Sequence, residues 1–205
     1  MPKKTYNEKL ITRCPWAEGD EKMMKYHDEV WGVPVHDDRM LFAKLSLDLM
    51  QAGLMWRTIL YKQENFYKAF DDFKIEVVAG YDEAKYDELM QDAGIVRNQL
   101  KIRAIINNAA RILEIQKEFG SFDAYIWGFN NGETTKNCWQ SLDEIPASTP
   151  LSDAISKDLK KRGFRFVGTT IIYAFLQAIG VVNDHLVDCF RYSVVIPNKS
   201  VLLDN

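Results

Sequence analysis

His185 and Cys189, in the run HLVDC, stand four residues apart in a chain with only three histidines and three cysteines. Imidazole and thiolate are ligands that zinc and other borderline-soft metals favour. If 184–190 is a helix, the spacing puts both side chains on one face. One pair is half a tetrahedral site, and the other half must come from Cys14, His27, His36 or Cys138. Cys14 and His27 are separated by twelve residues, a spacing zinc sites tolerate. His36 lies beside Pro34 in an expected loop, and Cys138 lies in a long polar stretch, each without a partner nearby. Cys14, His27, His185 and Cys189 would form a closed Cys₂His₂ set, which is structural because no coordination position stays open. Plainer roles remain open on spacing alone: Cys189 as a small buried hydrophobe, His27 as a hydrogen-bonded polar residue.

A second chemical feature is an acid in an apolar stripe. Leu41, Leu45, Asp48 and Ala52 recur at 4, 3 and 4 spacing on an expected helix. A buried carboxylate is costly unless paired, so Asp48 is either partly exposed or functional. Trp16, Tyr26, Trp31 and Trp56 flank it in the sequence, and aromatic faces beside an acid suit a flat cationic ligand. The plainer alternative makes the tryptophans core and puts Asp48 at the helix edge.

The elements that must position these residues read as helices. Apolar residues recur at helical spacing, and long alternating strand patterns are missing, so an all-α domain is expected. Asp37 is placed to cap a helix to about residue 52, with Gly53 ending it. Further helices are expected near 21–30, 55–70, 82–92, 98–119, 151–161, 168–180 and 184–190, with a long loop over 128–150. In KKRGFRFVGTT, a basic helix ends at Gly163, the turn GFRFVG follows, and a new helix starts at Gly168-Thr169. Its free N-terminal amides, beside Lys160, Lys161, Arg162 and Arg165, offer a phosphate site.

The 205 residues, 47% of them hydrophobic, are ample for one core, and the net charge of −3 excludes general polyanion affinity. Local clusters make up for that: residues 157–165 hold five positive charges against one acid, and 97–111 hold four against none. The longest nearly apolar run, 169–182, is interrupted by Gln177 and is too short to span a bilayer. No signal-peptide core follows the N-terminal lysines, so a soluble cytoplasmic protein is expected, with thiols or metal ligands in place of disulfides.

The runs CPW (14–16), YHDEVWGVP (26–34), QAGL (51–54), Trp56, DAGIVRN (92–98), FVGTT (166–170) and NDHLVDC (183–189) occur in order. Together with LSDAISKDLKKRGF at 151–164, they resemble the 3-methyladenine DNA glycosylase I family, bacterial base-excision repair enzymes of the helix-hairpin-helix superfamily. The resemblance covers residues 11–190, taken as the glycosylase domain, with 1–10 and 191–205 as tails. It implies a helix-hairpin-helix glycosylase fold whose ends are joined by a structural zinc on Cys14, His27, His185 and Cys189. It implies a base pocket of Tyr26, Trp31 and Trp56 with Trp16 close by, and Asp48 in the catalytic role. DNA contacts are implied at Lys161, Gly163, Phe166, Gly168 and Thr169, with Leu54 filling the gap a flipped base leaves. The implied activity is hydrolysis of the N-glycosidic bond of 3-methyladenine in alkylated double-stranded DNA, by a monomer. At 48 the family has Glu, one methylene longer, and here Leu49, Met50 and Met55 replace small or polar residues; a lesion-binding paralogue with altered or lost catalysis is the alternative. The stretch RNQLK at 97–101 also lacks a glycine frequent in the family. Asp184 is a second acid that either approaches the base or orients His185.

Overall fold

The computed structural model describes residues 11–194. Nine α-helices are found among them: α1 (Glu21–Glu29), α2 (Asp38–Gln51), α3 (Trp56–Ala69), α4 (Ile75–Ala79), α5 (Glu83–Gln91), α6 (Gln99–Phe119), α7 (Phe122–Gly128), α8 (Pro150–Lys161) and α9 (Thr169–Ala178). Side-chain caps set many of the starts. Asp20, Asp37, Asp82, Asn98 and Ser121 each accept from the backbone amide three residues on, at α1, α2, α5, α6 and α7. Thr149 and Ser152 form a reciprocal capping box at α8. Each such cap stabilises its helix by about 1 kcal/mol.

The core is built around α2, which is apolar on nearly every side, as a helix surrounded by others must be. Leu41, Phe42, Ala43, Leu45, Leu49 and Met50 are all fully buried. Helices α3, α6, α7 and α9 pack around it. Phe66, Phe70, Phe73, Phe122 and Phe175 fill the space between them. From α6, Ile102, Ile105, Ala109 and Ile112 contribute one buried stripe at 3, 4 and 3 spacing.

Three features differ from the sequence expectations. The short helices α4 and α7 carry too few turns to show a period. Two residues each of β1 (Thr135–Lys136) and β2 (Val182–Asn183) form a parallel ladder, Thr135 opposite Val182. Residues 184–190 are turns and not the expected helix. There Val187 N donates to Trp139 O and Cys189 N to Leu186 O, and His185 N donates to the Asn183 side chain. Those bonds take amides that a helix would need. The first and last described segments meet where Phe190 N donates to Thr12 O at 3.0 Å. No helix among the described residues is long and apolar enough to cross a membrane.

Candidate functional site

Four residues from the two ends of the chain make a buried cluster. Cys14 precedes a short 3₁₀ turn (Pro15–Ala17), His27 sits in the last turn of α1, and His185 and Cys189 come from the turns after β2. Their ligand atoms all lie within 4.8 Å of one another. Cys189 Sγ is 3.4 Å from His27 Nε2 and 3.6 Å from His185 Nδ1, and Cys14 Sγ is 3.7 Å from His185 Nδ1. Tetrahedral coordination with Zn–S near 2.3 Å and Zn–N near 2.0–2.1 Å puts sulfur and nitrogen ~3.5 Å apart. The outer ring nitrogens are engaged as a metal site requires. His27 Nδ1 meets Asp28 Oδ1 at 2.8 Å, and His185 Nε2 meets Trp31 O at 3.3 Å. Each interaction fixes the tautomer that leaves the inner nitrogen a lone pair. Arg13 grips Asp28 through Nε and Nη2, a further brace that spacing did not show. His36 and Cys138 lie outside the cluster; His36 pairs with Asp123 and Cys138 with the Tyr192 hydroxyl.

The aromatic residues stand directly on this cluster. The Trp31 ring lies 4.6 Å from His185, Trp16 lies 5.1 Å from Trp31, and Tyr26 lies 5.0 Å from Trp56. Together with Asp48, Met23, Gln51, Ile145, Ala174, Gln177 and Ala178 they line an open cavity of about 300 Å³. That is the lower end of small-molecule site volumes and suits a single planar base. Two polar atoms in the wall have no partner among the described residues: Asp48 Oδ2 and Trp56 Nε1 are buried without a hydrogen bond. Asp48 is only 6% exposed, so of the two readings of this acid the edge position is excluded. Burial pushes its carboxyl up to about 7, and Lys44 one turn earlier on α2 pulls the other way. Lys44 is itself lowered to about 8 by burial, opposed by Asp48. Its ammonium lies 5.9 Å from the Tyr26 ring centroid, and Lys44 lines a smaller cavity of about 210 Å³ that shares Tyr26, Asp48, Trp56 and Ala178 with the first.

Of the four departures from the family around Asp48, only Asp48 itself reaches the cavity. Leu49 and Met50 are fully buried in the core, and Met55 is 73% exposed beside Leu54. Leu54 lies at the tip of the turn after α2, where Gly53 takes φ +76° and Leu54 N donates to Gln51 O. Beneath this turn Lys101 Nζ donates to Met50 O and Ala52 O, at 2.9 and 2.6 Å. A cation on the last carbonyls of α2 is favourably placed against the helix dipole. Lys101 is one of the four charges of the basic stretch 97–111, yet it is buried and spent on this turn.

The hairpin between α8 and α9 is held from behind by α6. Asn107 donates to Gly163 O, and Asn108 both donates to Arg165 O and accepts from Arg165 N. Gly163 (φ +85°) and Phe166 (φ +55°) make the turn, while Phe164 and Val167 anchor it in the core. The Thr169 hydroxyl is engaged by Ser152 and donates to Asp153. Amides of Val167, Gly168 and Thr169 donate no backbone hydrogen bond among the described residues. Arg162 is held by Glu118 and Asp158, whereas Lys157, Lys160, Lys161 and Arg165 are exposed and make no ion pair among the described residues.

The Asp184 carboxylate makes no hydrogen bond to the His185 ring, and Asp184 is not among the residues lining the cavity. Its oxygens accept from Asn137 Nδ2, Trp139 Nε1 and Gln177 Nε2, each at 2.7 Å, and from the Tyr173 hydroxyl.

Comparison with known proteins identifies relatives over most of the chain. The family model for methyladenine glycosylase matches residues 16–192. DNA-3-methyladenine glycosylase 1 of Escherichia coli (strain K12) is 47% identical over 182 residues, covering 89% of this chain and 97% of that one. DNA-3-methyladenine glycosylase of Haemophilus influenzae is 41% identical, covering 88% and 97%. A 3-methyladenine DNA glycosylase I solved in complex with 3-methyladenine superposes with a TM-score of 0.85 at 35% identity, covering 91% of this chain and 98% of that one. The chain belongs to the methyladenine glycosylase family.

Proposed function

We propose that this protein is a monofunctional DNA glycosylase that removes 3-methyladenine from alkylated duplex DNA. The observation that carries this reading is the unpaired Asp48 oxygen in the aromatic-walled cavity. Methylation at N3 makes the base cationic, so a carboxylate and stacked rings recognise it by charge and shape. Extrusion from the duplex costs a few kcal/mol, less for a damaged base. Leu54, with 41% of its surface exposed, enters the gap left behind. The α8–turn–α9 element acts as a helix-hairpin-helix: free amides of 167–169 take a phosphate, and Lys161 and its neighbours add charge. Gly163, Phe166 and Gly168 shape that turn.

The chemistry needs little from the protein. The C1′–N9 bond breaks, its electron pair neutralises the departing base, and water adds to C1′ with loss of one proton. Because the base leaves neutral, no strong general acid is required. Asp48 is the acceptor that holds the base while the bond stretches, and Tyr26, Trp31 and Trp56 exclude water from its faces, with Trp16 behind Trp31. Cys14, His27, His185 and Cys189 would hold zinc in a structural role, as the sulfur–nitrogen distances and fixed tautomers support; it would brace the aromatic wall. Asp48→Asn tests the reading: release of 3-methyladenine should fall about 10- to 100-fold, the worth of a hydrogen bond to a charged group, with duplex affinity within about twofold. Equal release by the Asn variant would remove Asp48 from the mechanism.

A further inference from the structure

A cavity that holds a single planar base leaves the sugar of the extruded nucleotide, and the phosphate linkages on either side of it, at the mouth. Part of that mouth belongs to α9, which follows the hairpin and supplies Ala174, Gln177 and Ala178 to the wall. Another part belongs to α1 and α3, which supply Met23, Tyr26 and Trp56. The hairpin offers a phosphate contact to the first part, and none of the residues discussed so far offers one to the second.

Positive charge is gathered on the second part. Lys22 precedes Met23, and Arg57 follows Trp56. The two cations converge on one ring: Lys22 Nζ lies 5.2 Å and the Arg57 guanidinium carbon 5.4 Å from the Tyr61 centroid. A ring face attracts cations, so Tyr61 keeps together two like charges that would otherwise move apart.

Asp20 braces the group. Its Oδ1 accepts from Met23 N at 2.9 Å, capping α1, and its Oδ2 accepts from the Tyr61 hydroxyl at 3.0 Å. The same Oδ2 pairs with Arg57 Nε at 2.7 Å. One carboxylate therefore fixes the start of α1, the ring and the guanidinium. The Asp20 side chain is 10% exposed, yet that of Arg57 is 62% exposed. So exposed an ion pair adds little to stability. A guanidinium has five N–H donors, and Asp20 meets this one at Nε, so the group stays open to an anion while its orientation is set. Its fork matches the oxygens of a phosphate.

On the glycosylase reading above, we propose that Arg57 binds a phosphodiester linkage beside the extruded nucleotide, at the α1–α3 part of the mouth. Lys22 adds charge and Asp20 is the positioning residue. The hairpin grips the DNA backbone at one part of the mouth and Arg57 at another, so the nucleotide is held by its backbone as well as by its base.

The test measures affinity for duplexes carrying one tetrahydrofuran abasic analogue and a single methylphosphonate, which removes the charge of one linkage, moved through the neighbouring linkages in turn. Wild-type protein should lose about tenfold at a linkage read by Arg57, the scale of a hydrogen bond to a charged group. Arg57→Gln should bind the unmodified duplex about tenfold more weakly and be indifferent to that same linkage. Its affinity for free 3-methyladenine and its metal content should be unchanged, which separates a lost phosphate contact from a damaged cavity. Lys160→Gln, in the hairpin, should keep the response that Arg57→Gln loses. Asp20→Asn, which caps a helix as well as Asp does, should blunt the response at that linkage, a readout that lost stability alone does not move. If Arg57→Gln responds to every placement as the wild type does, or binds the unmodified duplex as tightly, the assignment is overturned. Absence of base release from methylated duplex by the wild type counts against the glycosylase reading, and the linkage scan still decides the role of Arg57.

Discussion

Asp48 concentrates the physical tension of the molecule. A carboxyl raised to about 7 binds its proton more tightly in the folded chain than in the unfolded one. Its effect on stability is therefore most favourable at low pH and is lost as pH rises from about 4 towards 7. The ionised form needed for a cationic base is the one the fold disfavours. Asp48→Asn should accordingly raise the melting temperature at pH 8, because it removes the cost of burying a charge, while release falls; a lower melting temperature would contradict the assigned burial cost. Release by the wild type should drop as pH falls through about 7. Lys44→Met removes the nearest positive charge, so Asp48 should titrate higher and the acid limb should move to higher pH. An unshifted limb would mean Lys44 does not act on Asp48. This acid was legible in the sequence as a charge in an apolar stripe. Lys44 was not, because a lysine on a mostly buried helix looks like any solvated lysine.

At the scale of elements, the site depends on how α9 docks. Gly180 follows α9 with φ +78°, and a Cβ there would lie 2.6 Å from Pro34 N and 2.7 Å from Gly32 O. Backbone atoms cannot yield as a side chain can. Val35 N also donates to Ile179 O across the same junction. Gly180→Ala should therefore cost roughly 3 kcal/mol or more, combining strain with overpacking, and a thermal shift below about 2 °C would refute the close approach. The hairpin gives a different expectation. Replacing Lys160 and Lys161 by Gln should weaken duplex binding at every sequence and reduce the slope of log affinity against log salt by about 1 for each phosphate no longer neutralised. The helix α2 declared itself by its Asp37 cap and α6 by its period, whereas α4 and α7 span too few turns. The run 184–190 shows how the right residues can be found for the wrong local reason. His185 and Cys189 converge through turns, not through a helix face, because Asn183 and Trp139 claim the backbone that a helix would use.

Across the whole molecule, residues 12–14 and 185–190 close on one point, and the cavity is built against that closure. Trp31 contacts His185 through its ring and accepts from it through its carbonyl, so the aromatic wall and the Cys₂His₂ cluster form one body. Cys189→Ser should lose the metal, lower the melting temperature, and reduce base release through disorder of Trp31 and Trp16; unchanged metal content would sink the zinc assignment. The two-residue β ladder had no signature in the sequence, since its partners lie far apart in the chain and neither strand is long enough to alternate. The most direct test is release of free 3-methyladenine from methylated duplex DNA by the purified protein, with 7-methylguanine measured alongside. Selective release of 3-methyladenine is the expected result. No release, with duplex binding and bound zinc both intact, would contradict the proposed activity and leave a lesion-binding protein whose shortened acid no longer supports catalysis.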